Sequence, residues 1–364
     1  MPSPIAFAGP APRDELAALS TASLGPEPTG AVLPLSALPW PGHRVHPDGR
    51  TDRPGVFVRT TPAGTSDAGE AVYVHGIAGS SFNWTSVAGL LSPLAAGYAV
   101  DLPGSGRSDP PIADDYSVAS HVETLAATIR SVATGPVHLV GNSLGGVLST
   151  HLAARHPELF RSLTLISPAV PDFRITTDRG ADVRLAALLA PAVGRWAEPK
   201  LAQVSTEDRV DGLIALCFGD RAMIGPQDRA VALAEMTWFK DLPWAQHAVI
   251  AELRALMASY LARGRRSFWG AARSIRVPTL VIWGTRDRLV DARLAQRTAA
   301  AFPDSRLLML AGVGHVAQME APVPTARAIA ALWADVADDP RTRERADAMI
   351  QTTEHVDSGH TTHG

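Results

Sequence analysis

The chain has 364 residues, with 33 Lys and Arg against 36 Asp and Glu and a formal net charge of −3. That length can bury a full core, as one large domain or as a domain carrying an insertion. The near-neutral, mixed charge excludes a basic nucleic-acid face, and the run Arg263-Gly264-Arg265-Arg266 reads as a solvated helix end. A lone cysteine, Cys217, excludes an intramolecular disulfide and fits a reducing, cytoplasmic location. No apolar run is long enough to span a bilayer, and the proline-broken start Met1-Pro2-Ser3-Pro4 lacks the order of a signal peptide. A soluble protein is expected.

Residues 1–52 are rich in proline, glycine and alanine and read as an arm, with one short helix over Arg13 to Leu19. From 53 to 169 strands alternate with helices. Val56 to Arg59, Ala71 to Val74, Tyr98 to Val100, Val137 to Val140 and Leu163 to Ile166 read as strands. Ser86 to Leu94, Val118 to Val132 and Val147 to Arg155 have helical spacing. That alternation predicts an α/β fold, with a mostly parallel sheet covered on both faces. Over 170–273 the strand rhythm stops. Val183 to Val193, Val210 to Phe218, Ala230 to Trp238 and Ala248 to Leu261 predict a helical cap, inserted into the sheet domain. Strands resume over 274–338, at Thr279 to Trp283 and Arg306 to Leu310, before a last helix from Pro324 to Val336. The tail 339–364 is polar, with His355, His360 and His363 near its end, and is expected to be disordered.

The strand Val137 to Val140 runs into Gly141-Asn142-Ser143-Leu144-Gly145-Gly146, a Gly-x-Ser-x-Gly turn opening a helix. A strand that reverses sharply into a helix forces its turn residue into strained backbone, and the flanking glycines leave room for the approach. The serine hydroxyl then stands clear of the sheet at the positive end of a helix. This is the nucleophile-elbow pattern.

A serine hydroxyl needs a base to take its proton, and the base needs an orienting carboxylate. Both occur later in the chain, at strand ends. Trp283-Gly284-Thr285-Arg286-Asp287 offers Asp287, with Asp291 as an alternative acid, and Gly312-Val313-Gly314-His315 offers His315 in a glycine-flanked loop. Oxyanion donors would be the backbone N–H of Leu144 and that of Ile77 in His75-Gly76-Ile77-Ala78-Gly79-Ser80, Ala78 being the alternative to Ile77. His75 is expected to be structural. Asp101-Leu102-Pro103-Gly104-Ser105-Gly106-Arg107-Ser108-Asp109 reads as a tight loop held by its own charged residues.

In this order, these motifs resemble the serine α/β-hydrolase superfamily over about Val56 to Val336. The resemblance implies an eight-stranded sheet, a helical cap over the site, and neither metal nor organic cofactor. Dehalogenases and epoxide hydrolases of this type carry aspartate at the elbow, where this chain has Ser143. Gly-Asn-Ser-x-Gly-Gly also resembles the meta-cleavage-product hydrolases, which usually carry tryptophan after the histidine; Val316 stands there instead. The expected activity is hydrolysis of a small-molecule carboxylic ester or thioester through an acyl-enzyme on Ser143. Alternatives are carbon–carbon bond hydrolysis, acyl transfer or a lyase step with the same triad, or a non-catalytic ligand-binding receptor. Leu213, Ile214, Leu216, Phe218, Trp238 and Phe239 would line an acyl pocket or pack the cap helices together.

Overall fold

The computed structural model describes residues 16–26, 39–51, 54–64, 69–172 and 204–338. The predicted helix over Val183 to Val193, the tail from Asp339 and its three histidines lie outside the described residues. Eight strands make one sheet: β1 (Gly42–Val45), β2 (Val56–Thr61), β3 (Gly69–Val74), β4 (Ala95–Val100), β5 (Val137–Asn142), β6 (Phe160–Ile166), β7 (Thr279–Gly284) and β8 (Ser305–Leu310). Their order is β1-β2-β4-β3-β5-β6-β7-β8. β2 runs antiparallel to β1 and β4, and every later pairing is parallel, as a sheet built by helical crossovers must be.

Successive residues of the central strands bury on opposite faces. Val72, Val74 and Leu139 pack on one side, with α2 (Val118–Val132), α3 (Leu144–Arg155), α7 (Phe268–Ala272) and α8 (Leu294–Ala299). Ala71, Tyr73 and Val140 pack on the other, under α1 (Thr85–Leu91), α9 (Ala317–Glu320) and α10 (Pro322–Asp338). The strands therefore read as continuous apolar runs. Each fully buried leucine, such as Leu139 or Leu148, stabilises the core by roughly 1.5–3 kcal/mol.

Between β6 and β7 lie α4 (Thr206–Cys217), α5 (Pro226–Lys240) and α6 (Ala245–Ser259). Ser205 caps α4, its hydroxyl accepting from Asp208 N–H at 3.0 Å. Glu235 of α5 accepts from Arg59 at 3.2 Å and from Arg107 at 3.0 Å, seating the insertion on β2 and on the loop after β4. Trp238, 48% exposed, covers the Arg107 guanidinium at 4.9 Å. Ile214 and Phe218 are buried with Val210 and Val316. Of the six apolar residues singled out in the insertion, these two are helix-packing residues, and Trp238 shields a cation. Among the described residues no helix is long and apolar enough to cross a membrane.

Part of the arm covers the free edge of the sheet. Thr21 and Ala22 N–H both donate to Leu307 O, at 2.7 and 2.9 Å, and Thr21 Oγ1 and Ser20 Oγ accept from Leu307 and Met309 N–H. β8 is thus blunted by the chain's own N-terminal segment. The arm is also shorter than residues 1–52 suggest, because β1 within it joins the sheet.

Several histidines are buried inside the fold. Burial drives His121 down to about 4 and His138 down to about 3, and it lowers His75 against the raising influence of Asp101. His121 and His138 stay neutral while the unfolded chain takes up a proton on each below pH about 6.5, so the fold loses stability as pH falls through that value. Glu252 acts oppositely: burial raises it to about 8, so it is protonated in the fold and favours it as pH drops. For these three groups, two protons against one leave one, or roughly 1.4 kcal/mol lost per pH unit near pH 5.5. The melting temperature is expected to fall by about 2 °C between pH 6.5 and 5.5, and a calorimetric series checks this.

Candidate active site

β5 ends at Asn142, and Ser143 takes φ 55° and ψ −118° before α3 begins at Leu144. The turn is possible only because its flanks lack side chains. A Cβ on Gly145 would lie 2.2 Å from Val74 O, and one on Gly141 would lie 2.4 Å from Gly145 O. The strained serine is held by Ile166 O, which accepts from its N–H at 3.1 Å. Ser143 is half-buried.

The loop after β3 passes directly over this serine. Gly76 packs so closely that a Cβ there would sit 2.8 Å from Ser143 Cβ and 3.3 Å from Oγ. His75 is committed to the main chain: Nδ1 bonds Gly76 O at 2.8 Å and Nε2 accepts from Leu102 N–H at 2.9 Å. Both nitrogens being used, the ring has the neutral Nδ1–H form and pins the loop, as expected. Among the described residues the Ile77 N–H has no backbone acceptor, and the Leu144 N–H, in the first turn of α3, has none within the helix. Asp101 accepts from Ser81 and Arg107 N–H at 2.6 and 2.8 Å, confirming a structural part for the loop after β4.

Asp287 and His315 meet. Asp287 Oδ2 accepts from His315 Nδ1 at 2.8 Å, and Oδ1 accepts from Leu289 and Val290 N–H, both at 2.9 Å. The Asp287 side chain is fully buried and that of His315 nearly so. Asp291, the other candidate, instead pairs with Arg293.

The elbow and the histidine loop are joined by a residue that sequence reasoning did not single out. Asn142 Nδ2 donates to Ile166 O and to His315 O, both at 3.0 Å, so the residue beside Ser143 grips the main chain of His315. Among the described residues no hydrogen bond links the Ser143 hydroxyl to the His315 ring; such bonds often tighten only once substrate is bound. Asn142 lies inside the Gly-Asn-Ser motif, but nothing in the motif tells which carbonyl its amide will reach.

Cys217 ends α4 and accepts from His315 N–H through its carbonyl at 2.6 Å. Burial, with the Asp287 charge adding to it, pushes its thiol up to about 12. The thiol is therefore neutral and a poor nucleophile. Iodoacetamide at pH 8 is expected to leave Cys217 unmodified in the folded protein and to alkylate it in denaturant, as read by mass spectrometry. Among the described residues no cluster of His, Cys, Asp and Glu is arranged to hold a metal ion.

A strained elbow serine, a buried Asp–His pair and a parallel sheet between two helical layers define a class. Residues 72–322 match the family described as the alpha/beta hydrolase fold, and the chain belongs to it. A monoacylglycerol lipase, abhd6-A of Xenopus laevis, is 26% identical over 283 residues, covering 74% of this chain and 77% of that protein. Two solved structures share the fold. A membrane phospholipase A, described as a bacterial virulence factor, has a TM-score of 0.65 at 23% identity, covering 82% of this chain and 87% of that one. The meta-cleavage product hydrolase of Pseudomonas fluorescens IP01 has a TM-score of 0.63 at 20% identity, covering 81% and 98%.

Proposed function

We propose that the chain is a serine hydrolase that cleaves a carboxylic ester, with a lipid-like acyl substrate, through an acyl-enzyme on Ser143. The observation that carries this reading is the 2.8 Å bond between Asp287 and His315, in a loop that Asn142 ties to the elbow. Nδ1 being occupied by Asp287, Nε2 is left to take the Ser143 proton. Oγ bonds to the acyl carbon, and the ester oxygen leaves with that proton. A water then gives its proton to His315 and its oxygen to the acyl group, releasing acid and free serine. The Leu144 and Ile77 N–H groups receive the oxyanion. The helical insertion acts as the cap, and the monoacylglycerol lipase resemblance supports an acyl ester beneath it. A cytoplasmic location belongs to the same proposal.

Carbon–carbon hydrolysis finds no support beside the histidine. Val316 packs with Val210, Ile214 and Phe218 of the insertion and presents no ring to a substrate.

The test is turnover of p-nitrophenyl esters from acetate to palmitate, together with a 1-monoacylglycerol and a triacylglycerol. Turnover of esters, the monoacylglycerol included, is expected. Absence of turnover across the whole set contradicts the reading.

A further inference from the structure

Glu320 ends α9, five residues past His315, and is only 3% exposed. Its carboxylate accepts three main-chain N–H groups. Gly314 donates to Oε2 at 2.7 Å, Gly219 donates to the same oxygen at 3.0 Å, and Asp220 donates to Oε1 at 2.8 Å. Among the described residues no lysine, arginine or histidine forms an ion pair with it. A buried carboxylate is costly unless its oxygens are satisfied, and here three backbone N–H groups serve both oxygens.

The three donors come from two separate parts of the chain. Gly314 immediately precedes His315, whereas Gly219 and Asp220 follow α4 of the insertion. The two segments run in main-chain contact, which glycine on both sides permits. A Cβ on Gly314 would lie 2.3 Å from Cys217 O, and one on Gly219 would lie 2.3 Å from Gly312 O. His315 N–H donates to Cys217 O across the same seam. His315 is thus fixed at its ring by Asp287, at its carbonyl by Asn142, at its N–H by Cys217, and through Gly314 by Glu320.

We propose that Glu320 is a positioning residue, which joins the base of the helical insertion to the loop carrying His315 and so holds the imidazole in line with Ser143. This rests on the hydrolase reading above. Glu320 touches no substrate; it acts through Gly314 and His315. A seated insertion and an aligned base then become one state, because a single carboxylate closes both.

Glu320→Gln and Glu320→Ala separate positioning from folding. In Glu320→Gln the side-chain oxygen still accepts from Gly314 and Gly219, but its NH₂ faces the Asp220 N–H, donor against donor. In Glu320→Ala all three N–H groups lose their acceptor. Misplacement of a catalytic group by about 1 Å costs on the order of 10²-fold. A fall in kcat of roughly tenfold is expected for Gln and roughly hundredfold for Ala, with KM within about threefold of wild type. A second readout needs no turnover: the low-field proton resonance of the His315–Asp287 hydrogen bond broadens or disappears in both variants. Unchanged kcat and an unchanged resonance in folded variants overturn the proposal. So does a rise in KM with kcat intact, or a Glu320→Gln protein that fails to fold, since the role would then be structural. If the wild type hydrolyses no ester, the hydrolase reading fails, and the resonance still decides whether Glu320 positions His315.

Discussion

Ser143→Ala is expected to lower kcat by on the order of 10⁶, since removing one member of a triad that acts as a unit forfeits nearly the whole of its effect. The substitution takes away the proposed nucleophile and little else. Alanine is as strained as serine at φ 55°, so the elbow keeps its backbone cost. No described hydrogen bond of the Ser143 hydroxyl to His315 is lost. The melting temperature should therefore stay close to that of wild type, and KM should change little because Oγ contributes mainly in the transition state. Steady-state kinetics with a p-nitrophenyl ester checks this. A residual rate within a hundredfold of wild type would place the nucleophile elsewhere.

Asp287→Asn is expected to lower kcat by about 10⁴ through the histidine tautomer, with the fold intact. The structure dictates which way the new amide turns. Leu289 and Val290 N–H both point at the Oδ1 position, so the asparagine oxygen stays there as their acceptor. Its NH₂ then faces His315 Nδ1, where the carboxylate oxygen now accepts. A donor at Nδ1 requires the lone pair there and moves the ring proton to Nε2, so Nε2 can no longer take a proton from Ser143. The measurement is kcat/KM for the variant beside its melting curve. Near-wild-type activity would mean that Asp287 does not set the tautomer.

Much of the fold was legible because long apolar runs and helical spacing are strong signals. The helix predicted over Val118 to Val132 is found with those ends, and Thr279 to Trp283 becomes β7 with one residue more. β1 escaped because Gly42-His43-Arg44-Val45 is mostly exposed and shows no alternation; only its pairing with Val56 to Arg59 makes it a strand. The meeting of Asp287 with His315 followed from motif order, since both close neighbouring parallel strands and loops at one edge of a sheet converge. Asn142 and Glu320 were not legible. Their partners are main-chain atoms of segments distant in sequence, and a backbone carbonyl or N–H leaves no mark in the residue string. The insertion's apolar residues were ambiguous for a related reason: the stripe that packs Ile214 against Val316 has the same spacing as one facing a pocket.

The central claim is that Ser143 is the residue activated by the His315–Asp287 pair. Incubation with a fluorophosphonate, digestion and peptide mass spectrometry test it most directly. The account predicts one covalent adduct on Ser143, which His315→Ala slows by several orders of magnitude. An adduct on another residue, or equal labelling of wild type and His315→Ala, would contradict it.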